Sequence, residues 1–166
     1  RMIHRDLKPE NIFLVRSSDS GSETIKVLDF GIAKLLADPG EGAETLSHAE
    51  TAAGVLMGTP GYMSPEQLLG ERPAESWDLW ALAVVAYEIV TGALPFPATL
   101  REKWLQSVIA GKHTALSAHL ESPPAAWQEL FDRILSRDRA RRPRSAADFF
   151  RSLEQAIRQG GNPAPS

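Results

Sequence analysis

The sequence predicts a mainly helical α+β unit carrying one short β-hairpin near its N-terminus. Three observations lead there. Two β-branched runs, Ile12 to Val15 and Ile25 to Leu28, flank a serine, glycine and charge segment, Arg16 to Thr24, that must turn. Beyond residue 76 the apolar residues recur at helical rather than alternating spacing. A chain of 166 residues, 43% hydrophobic and 23% charged, suffices for one packed domain and falls short of two of ordinary size.

Each element has its own local reason. After the hairpin, Ala37 to Gly54 holds four acids and no lysine or arginine, too little apolar area to order itself, so a mobile loop is expected. Such length without periodicity is more often functional than ornamental. Trp77 to Thr91 is apolar almost all round and ends at Gly92 with Pro95 beyond, which predicts a buried helix stopped by a left-handed residue. Leu100, Trp104 and Val108 predict an amphipathic helix. Trp127, Leu130, Phe131, Ile134 and Leu135 predict another, entered from Pro123-Pro124. Ser145 with Asp148 predicts the capped start of a last helix that buries Phe149, Phe150, Leu153 and Ile157. Gly160 to Ser166 reads as a frayed tail. Trp77, Trp80, Trp104 and Trp127 read as packing residues.

Composition excludes several classes of function. A net charge of -3 gives no bulk attraction to nucleic acid or an anionic bilayer. Arg133, Arg137, Arg139, Arg141, Arg142 and Arg144 form a cluster, but Asp132 and Asp138 stand among them and no aromatic interleaves from Arg137 onward, so no nucleic-acid partner is expected. The absence of cysteine removes disulfides, thiolate metal sites, thiol nucleophiles and thiol redox chemistry, and suits a reducing cytoplasm, the expected location. Leu79 to Val90 contains Glu88 and is shorter than the roughly 20 residues that span a bilayer, so no membrane contact is expected from this segment. His48, His113 and His119 read as surface residues. The opening Arg1-Met2-Ile3-His4 shows neither an initiator methionine nor a signal pattern, and reads as a cut.

Chemistry concentrates at the hairpin. His4-Arg5-Asp6-Leu7-Lys8-Pro9-Glu10-Asn11 sets an acid, a cation and a metal-competent amide directly before the first strand, and Asp29-Phe30-Gly31 stands at the end of the second. Antiparallel pairing brings Asp29 back beside Asn11, so that a carboxylate and an amide oxygen can share a hard divalent cation such as magnesium. Asp6 would orient a hydroxyl and take its proton. Lys8 would set a point charge against a transferring phosphoryl group.

These residues resemble the protein kinase superfamily. HRDLKPEN at 4–11, DFG at 29–31, GTPGYMSPE at 58–66, Asp78-Leu79-Trp80 at the head of the core helix and Arg142-Pro143 occur in the family's order. The resemblance implies a kinase-like α+β fold: residues 1–158 a partial catalytic domain, the mainly helical C-terminal lobe with a hairpin carrying the catalytic and metal-binding loops, and residues 159–166 a flexible tail. It implies Asp6 as catalytic base, Lys8 on the transferred phosphate, and Asn11 and Asp29 holding magnesium, or manganese in its place, beside ATP. Lys8 with Thr59 is similar to the serine/threonine-directed branch, and Thr59, Gly61 and Tyr62 would belong to the substrate-binding end of the activation segment.

Arg5 beside Asp6 resembles kinases that read a phosphorylated activation loop, with Thr45, Ser47 and Thr51 as candidate acceptors. Glu66 and Arg142 resemble the ion pair that ties the activation segment to the lower lobe, and Asp78 is a structural residue. His4 reads as a packing and hydrogen-bonding residue. Ser64 stands where the family usually has alanine, and Ala83 where it usually has glycine. No Gly-rich phosphate loop, strand lysine or partner glutamate stands before His4. The N-lobe is therefore expected to be absent, and the isolated chain inactive with apolar area exposed along helix 77–91 and the hairpin. Expected partners are protein substrates, ATP and the missing N-lobe of the same polypeptide. The composition looks bacterial. The alternative is a non-catalytic docking module that binds through the groove around Trp104.

Overall fold

A computed structural model of the chain describes residues 3–18, 21–28, 60–97 and 100–161. The loop 37–54, the DFG run with Asp29, the candidate acceptors Thr45, Ser47 and Thr51, and Thr59 lie outside the described residues. Strand β1 (Ile12–Arg16) pairs antiparallel with β2 (Glu23–Val27) in the register Ile12↔Val27, Leu14↔Ile25, Arg16↔Glu23. The ladder reaches further toward the turn than branched residues alone suggest, because Arg16 and Glu23 pair across it at 2.7 Å. Just beyond the ladder, Ser17 N–H donates to the Ser22 carbonyl at 2.9 Å.

The other regular elements among the described residues are helices. Helix α1 (Pro65–Leu68) is one turn, and α2 (Glu75–Thr91) is the axis of the core, with Trp80, Ala83, Val84 and Tyr87 wholly buried. It starts two residues before Trp77 and stops at Gly92, whose φ of 70° is the left-handed stop expected. Phe96 stacks on Trp80 with centroids 5.6 Å apart, and Phe131 meets Tyr87 edge-on at 5.0 Å. Helix α3 (Arg101–Ala110) buries Trp104 and Val108 as their spacing predicts, while Leu100, expected on the same face, precedes the helix and is exposed, and α4 (Ala125–Ile134) buries Trp127, Leu130, Phe131 and Ile134. All four tryptophans pack in the interior.

Helix α5 (Ala146–Gly160) is capped by Ser145, whose Oγ accepts Asp148 N–H at 3.1 Å and donates to Asp148 Oδ2 at 2.9 Å. Its buried face differs from the expected one. Phe149 and Ala156 are buried with Leu153 packed beside them, while Phe150 is 61% exposed and Ile157 is exposed too. Neighbouring residues on a helix point about 100° apart, so Phe149 and Phe150 cannot share one stripe, and the close approach to α4 falls at Gly160, where an added Cβ would meet Trp127 at 3.2 Å. The helix runs two residues past 158, and the Gly161 carbonyl accepts Trp127 Nε1–H at 3.0 Å.

Two further expectations are corrected. His113 and His119 are half-buried packing residues: both lie edge-on to Tyr87, and His113 bridges the Thr114 carbonyl at 2.8 Å and Asp132 at 3.0 Å. Helix α2 buries most of its apolar side chains and exposes Ile89, so among the described residues more exposed apolar side chains lie on the hairpin, where Leu14 is 64% and Ile25 67% exposed. Among the described residues no helix is long and apolar enough to cross a membrane.

Candidate active site

Asp6 follows Arg5, the one non-glycine residue with positive φ among the described residues, at 68°. An L-residue in that region loses about 1–2 kcal/mol because its Cβ crowds the following carbonyl, and such strain persists only where the surroundings over-determine it. Here they do. Asp78, in the first turn of α2, accepts the His4 N–H through Oδ2 at 2.8 Å and the Arg5 N–H through Oδ1 at 2.9 Å. Gln67 Nε2 donates to the Arg5 carbonyl at 3.2 Å. Buried His4 donates from Nε2 to the Leu28 carbonyl at 2.9 Å, which leaves the lone pair on Nδ1 to meet the Asp6 N–H at 3.4 Å. His4 thus has the packing and hydrogen-bonding role its position implied.

The reactive side chains converge next to this anchored backbone. Lys8 Nζ lies 3.3 Å from Asp6 Oδ2. Asn11, seated by the 3-10 turn Pro9–Asn11, donates through Nδ2 to the Asp6 carbonyl at 2.8 Å and reaches Asp6 Oδ2 at 3.5 Å. A backbone carbonyl only accepts, so the amide orientation follows, and Oδ1 is left as the atom a hard cation takes. The Asn11 carbonyl accepts the Leu28 N–H at 2.9 Å, which fixes the residue before Asp29 against Asn11. Asp29 lies outside the described residues, and among those described no three potential metal ligands cluster. Asn11 as oriented fits a half-share in a magnesium site.

Gly61 and Tyr62 are buried in the 3-10 turn Pro60–Tyr62. The Tyr62 hydroxyl donates to Glu88 Oε2 at 2.6 Å; burial first, then this bond, push it above the ordinary tyrosine range. One cleft is lined by Asp6, Lys8, Tyr62, Met63 and Gln67, so the loop that carries Asp6 and the segment expected to take substrate share a wall.

Beneath that segment lies an ion pair. Glu66 and Arg142 are 4% and 6% exposed, and Arg142 Nη1 approaches the Glu66 carboxylate at 3.0 Å. Arg142 also donates to the Ser136 carbonyl at 2.6 Å and to the Arg137 carbonyl at 3.3 Å, and its guanidinium lies 4.6 Å over the Trp80 ring. Burial alone pushes the Glu66 carboxyl up, but the bonds and charge of Arg142, then those of Arg139, hold it below the usual range.

Sequence reasoning missed two contributors. Glu88, a lone acid in a buried apolar run, is a signal in itself, because a charge there needs a partner. Gln67 stands three residues after Ser64, the spacing of a capping box. The box is present: Ser64 Oγ accepts Gln67 N–H at 3.2 Å, and Ser64 N–H donates to Gln67 Oε1 at 2.9 Å. Ser64, seen in the sequence only as a departure from alanine, caps α1.

A helical unit whose hairpin loop gathers a carboxylate, an ammonium and an amide over an ion-paired segment has the form of a protein kinase domain. That domain family matches residues 1–153. The chain belongs to the protein kinase domain family. It is 39% identical over 168 residues to serine/threonine-protein kinase Pkn1 of Myxococcus xanthus, covering 94% of this chain and 21% of that protein. It is 39% identical over 165 residues to pkn3 of the same bacterium, covering 92% and 27%. It is 32% identical over 173 residues to PknF of Mycobacterium tuberculosis, covering 98% and 32%. The chain therefore spans about a fifth to a third of the length of these relatives.

Proposed function

We propose that these residues are the catalytic-loop lobe of a kinase that moves the γ-phosphoryl group of ATP to serine or threonine hydroxyls of proteins. The carrying observation is the Asp6 carboxylate, held on an anchored backbone with Lys8 at 3.3 Å and the Asn11 amide at 3.5 Å. The substrate oxygen attacks the γ-phosphorus, the bond from that phosphorus to the bridging oxygen breaks, ADP leaves with the electron pair, and the hydroxyl proton passes to Asp6. Lys8 balances charge on the transferring group and holds Asp6 by its ion pair. Asn11 through Oδ1, with Asp29, would hold magnesium, which when bound offsets the charge of the phosphate oxygens. Arg5, beside the base, would read a phosphate on Thr45, Ser47 or Thr51.

The proposed transfer also needs a glycine-rich cover for the phosphates and a lysine to grip them, which do not occur in these 166 residues. The 166 residues by themselves should turn over ATP at background rate, because an open half-site neither orients the phosphates nor excludes water. The deciding experiment uses the full-length protein with magnesium-ATP and a protein substrate. Asp6→Asn should lower kcat by about 100-fold or more, in line with loss of a general base, and phosphoamino-acid analysis should find phosphoserine or phosphothreonine. Unchanged turnover in Asp6→Asn would sink the reading.

A further inference from the structure

The single turn Ser64 to Gln67 makes more bonds than a helix cap requires. A capping box uses Oγ of the first residue and the side-chain oxygen of the fourth. Both are engaged here, at 3.2 Å and 2.9 Å. The remaining atom, Gln67 Nε2, crosses to the catalytic loop and donates to the Arg5 carbonyl at 3.2 Å. Its orientation is unambiguous, since Ser64 N–H can only donate and the Arg5 carbonyl can only accept.

We propose that Gln67 is a positioning residue for the kinase reaction: it holds the peptide plane between Arg5 and Asp6, and through it transmits the order of the substrate-binding segment to the catalytic base. That plane has two edges. Its carbonyl is held by Gln67 and its N–H by His4 Nδ1 at 3.4 Å, while Asp78 holds the N–H on the other side of Arg5 at 2.9 Å. Arg5 has φ of 68°, a conformation that a residue with a Cβ leaves when its restraints are lost. If the Gln67 bond is lost, the plane can rotate, and the Asp6 carboxylate swings with it.

The far end of the relay is equally fixed. Glu66 is buried against Arg142, Ser64 is wholly buried, and two residues earlier Tyr62 is tied to Glu88 at 2.6 Å. A turn so clamped keeps Gln67 in place only while the segment from Tyr62 to Glu66 is seated. Asp6, Lys8, Tyr62 and Gln67 line the same cleft, so a substrate that seats this segment meets an aligned base.

Glutamate separates the relay from the cap. In a capping box glutamate serves as well as glutamine, but a carboxylate has no N–H for the Arg5 carbonyl and repels it. The test uses the full-length kinase, and its effect on turnover rests on the function proposed above. Gln67→Glu should lower kcat about tenfold or more, with KM for ATP within about twofold and the melting temperature near that of the parent, since displacing a reacting group by about 1 Å can cost 100-fold. Amide hydrogen exchange over residues 4–8 should quicken in Gln67→Glu. Ser145→Ala, which removes the cap of distant α5, should change neither kcat nor that exchange. Parental kcat in Gln67→Glu, or exchange over 4–8 that matches the parent, overturns the proposal. If Asp6→Asn retains turnover while exchange over 4–8 still responds to Gln67→Glu, the function reading has failed and the structural relay stands.

Discussion

Asp78 illustrates how much one side chain at the head of a helix can determine. Its two carboxylate oxygens take the N–H groups of His4 and Arg5 at 2.8 and 2.9 Å, and so set the entry of the chain into the loop that carries Asp6. In Asp78→Asn only one oxygen remains to accept, and an amide N–H faces the second donor. Charge-assisted bonds of this kind contribute about 1.5–3 kcal/mol. A loss of that order in denaturant unfolding, with faster amide exchange at His4 and Arg5, is the expected outcome; wild-type stability would show that the bonds carry no weight. At this scale Asp6, Lys8 and Asn11 were legible in the sequence because each has a reactive group at fixed spacing before a strand. Gln67 and Glu88 were not, because their roles exist only where distant segments meet, Gln67 with Arg5 and Glu88 with Tyr62.

Among the elements, helix ends and the buried ion pair carry the sharpest consequences. Helices α2 and α3 both stop at left-handed glycines, but an added Cβ at Gly92 meets nothing within 4 Å, whereas at Gly111 it would meet Arg137 N at 2.6 Å and Leu135 O at 3.0 Å. Gly92→Ala should therefore cost about 1–2 kcal/mol of conformational strain, and Gly111→Ala a further 1–3 kcal/mol for the backbone clash. Thermal melts of the two variants side by side check the ranking.

Glu66→Gln leaves Arg142 buried without its counter-charge and should cost about 3–5 kcal/mol. Because the Glu66 carboxyl is held below its ordinary value of 4.5, the stability it contributes is present above about pH 4.5 and disappears as the pH falls through the folded value. Unfolding curves of parent and variant should thus converge in acid and separate near neutrality. Helix positions were readable from apolar spacing, as were the stops at Gly92 and the cap at Ser145. The buried stripe of α5 was not, since hydrophobicity alone favours Phe150 over Ala156, and only tertiary packing decides for the smaller residue. His113 and His119 were hidden for the same reason: Tyr87 packs against both.

At the scale of the molecule, the hairpin gathers most of the exposed large apolar side chains among the described residues. Leu14 and Ile25 are cross-strand partners, 64% and 67% exposed, with Phe13, Val15 and Val27 also exposed. Patches of this kind bind other surfaces. The 166-residue chain should bind a hydrophobic dye and self-associate, and the pair Leu14→Lys with Ile25→Glu, which sets opposite charges across the ladder, should suppress both. Dye fluorescence and sedimentation measure this, and equal dye binding by the variant would place the sticky surface elsewhere.

Arg142 carries a consequence for how the chain is made. It is separated from Glu66 by 76 positions. A ribosome adding about 5–20 residues per second needs about 4–15 s to travel from one to the other. Through that interval Glu66 waits for the guanidinium of Arg142, and the turn that bears Ser64 and Gln67 has its local capping bonds but not that distant anchor.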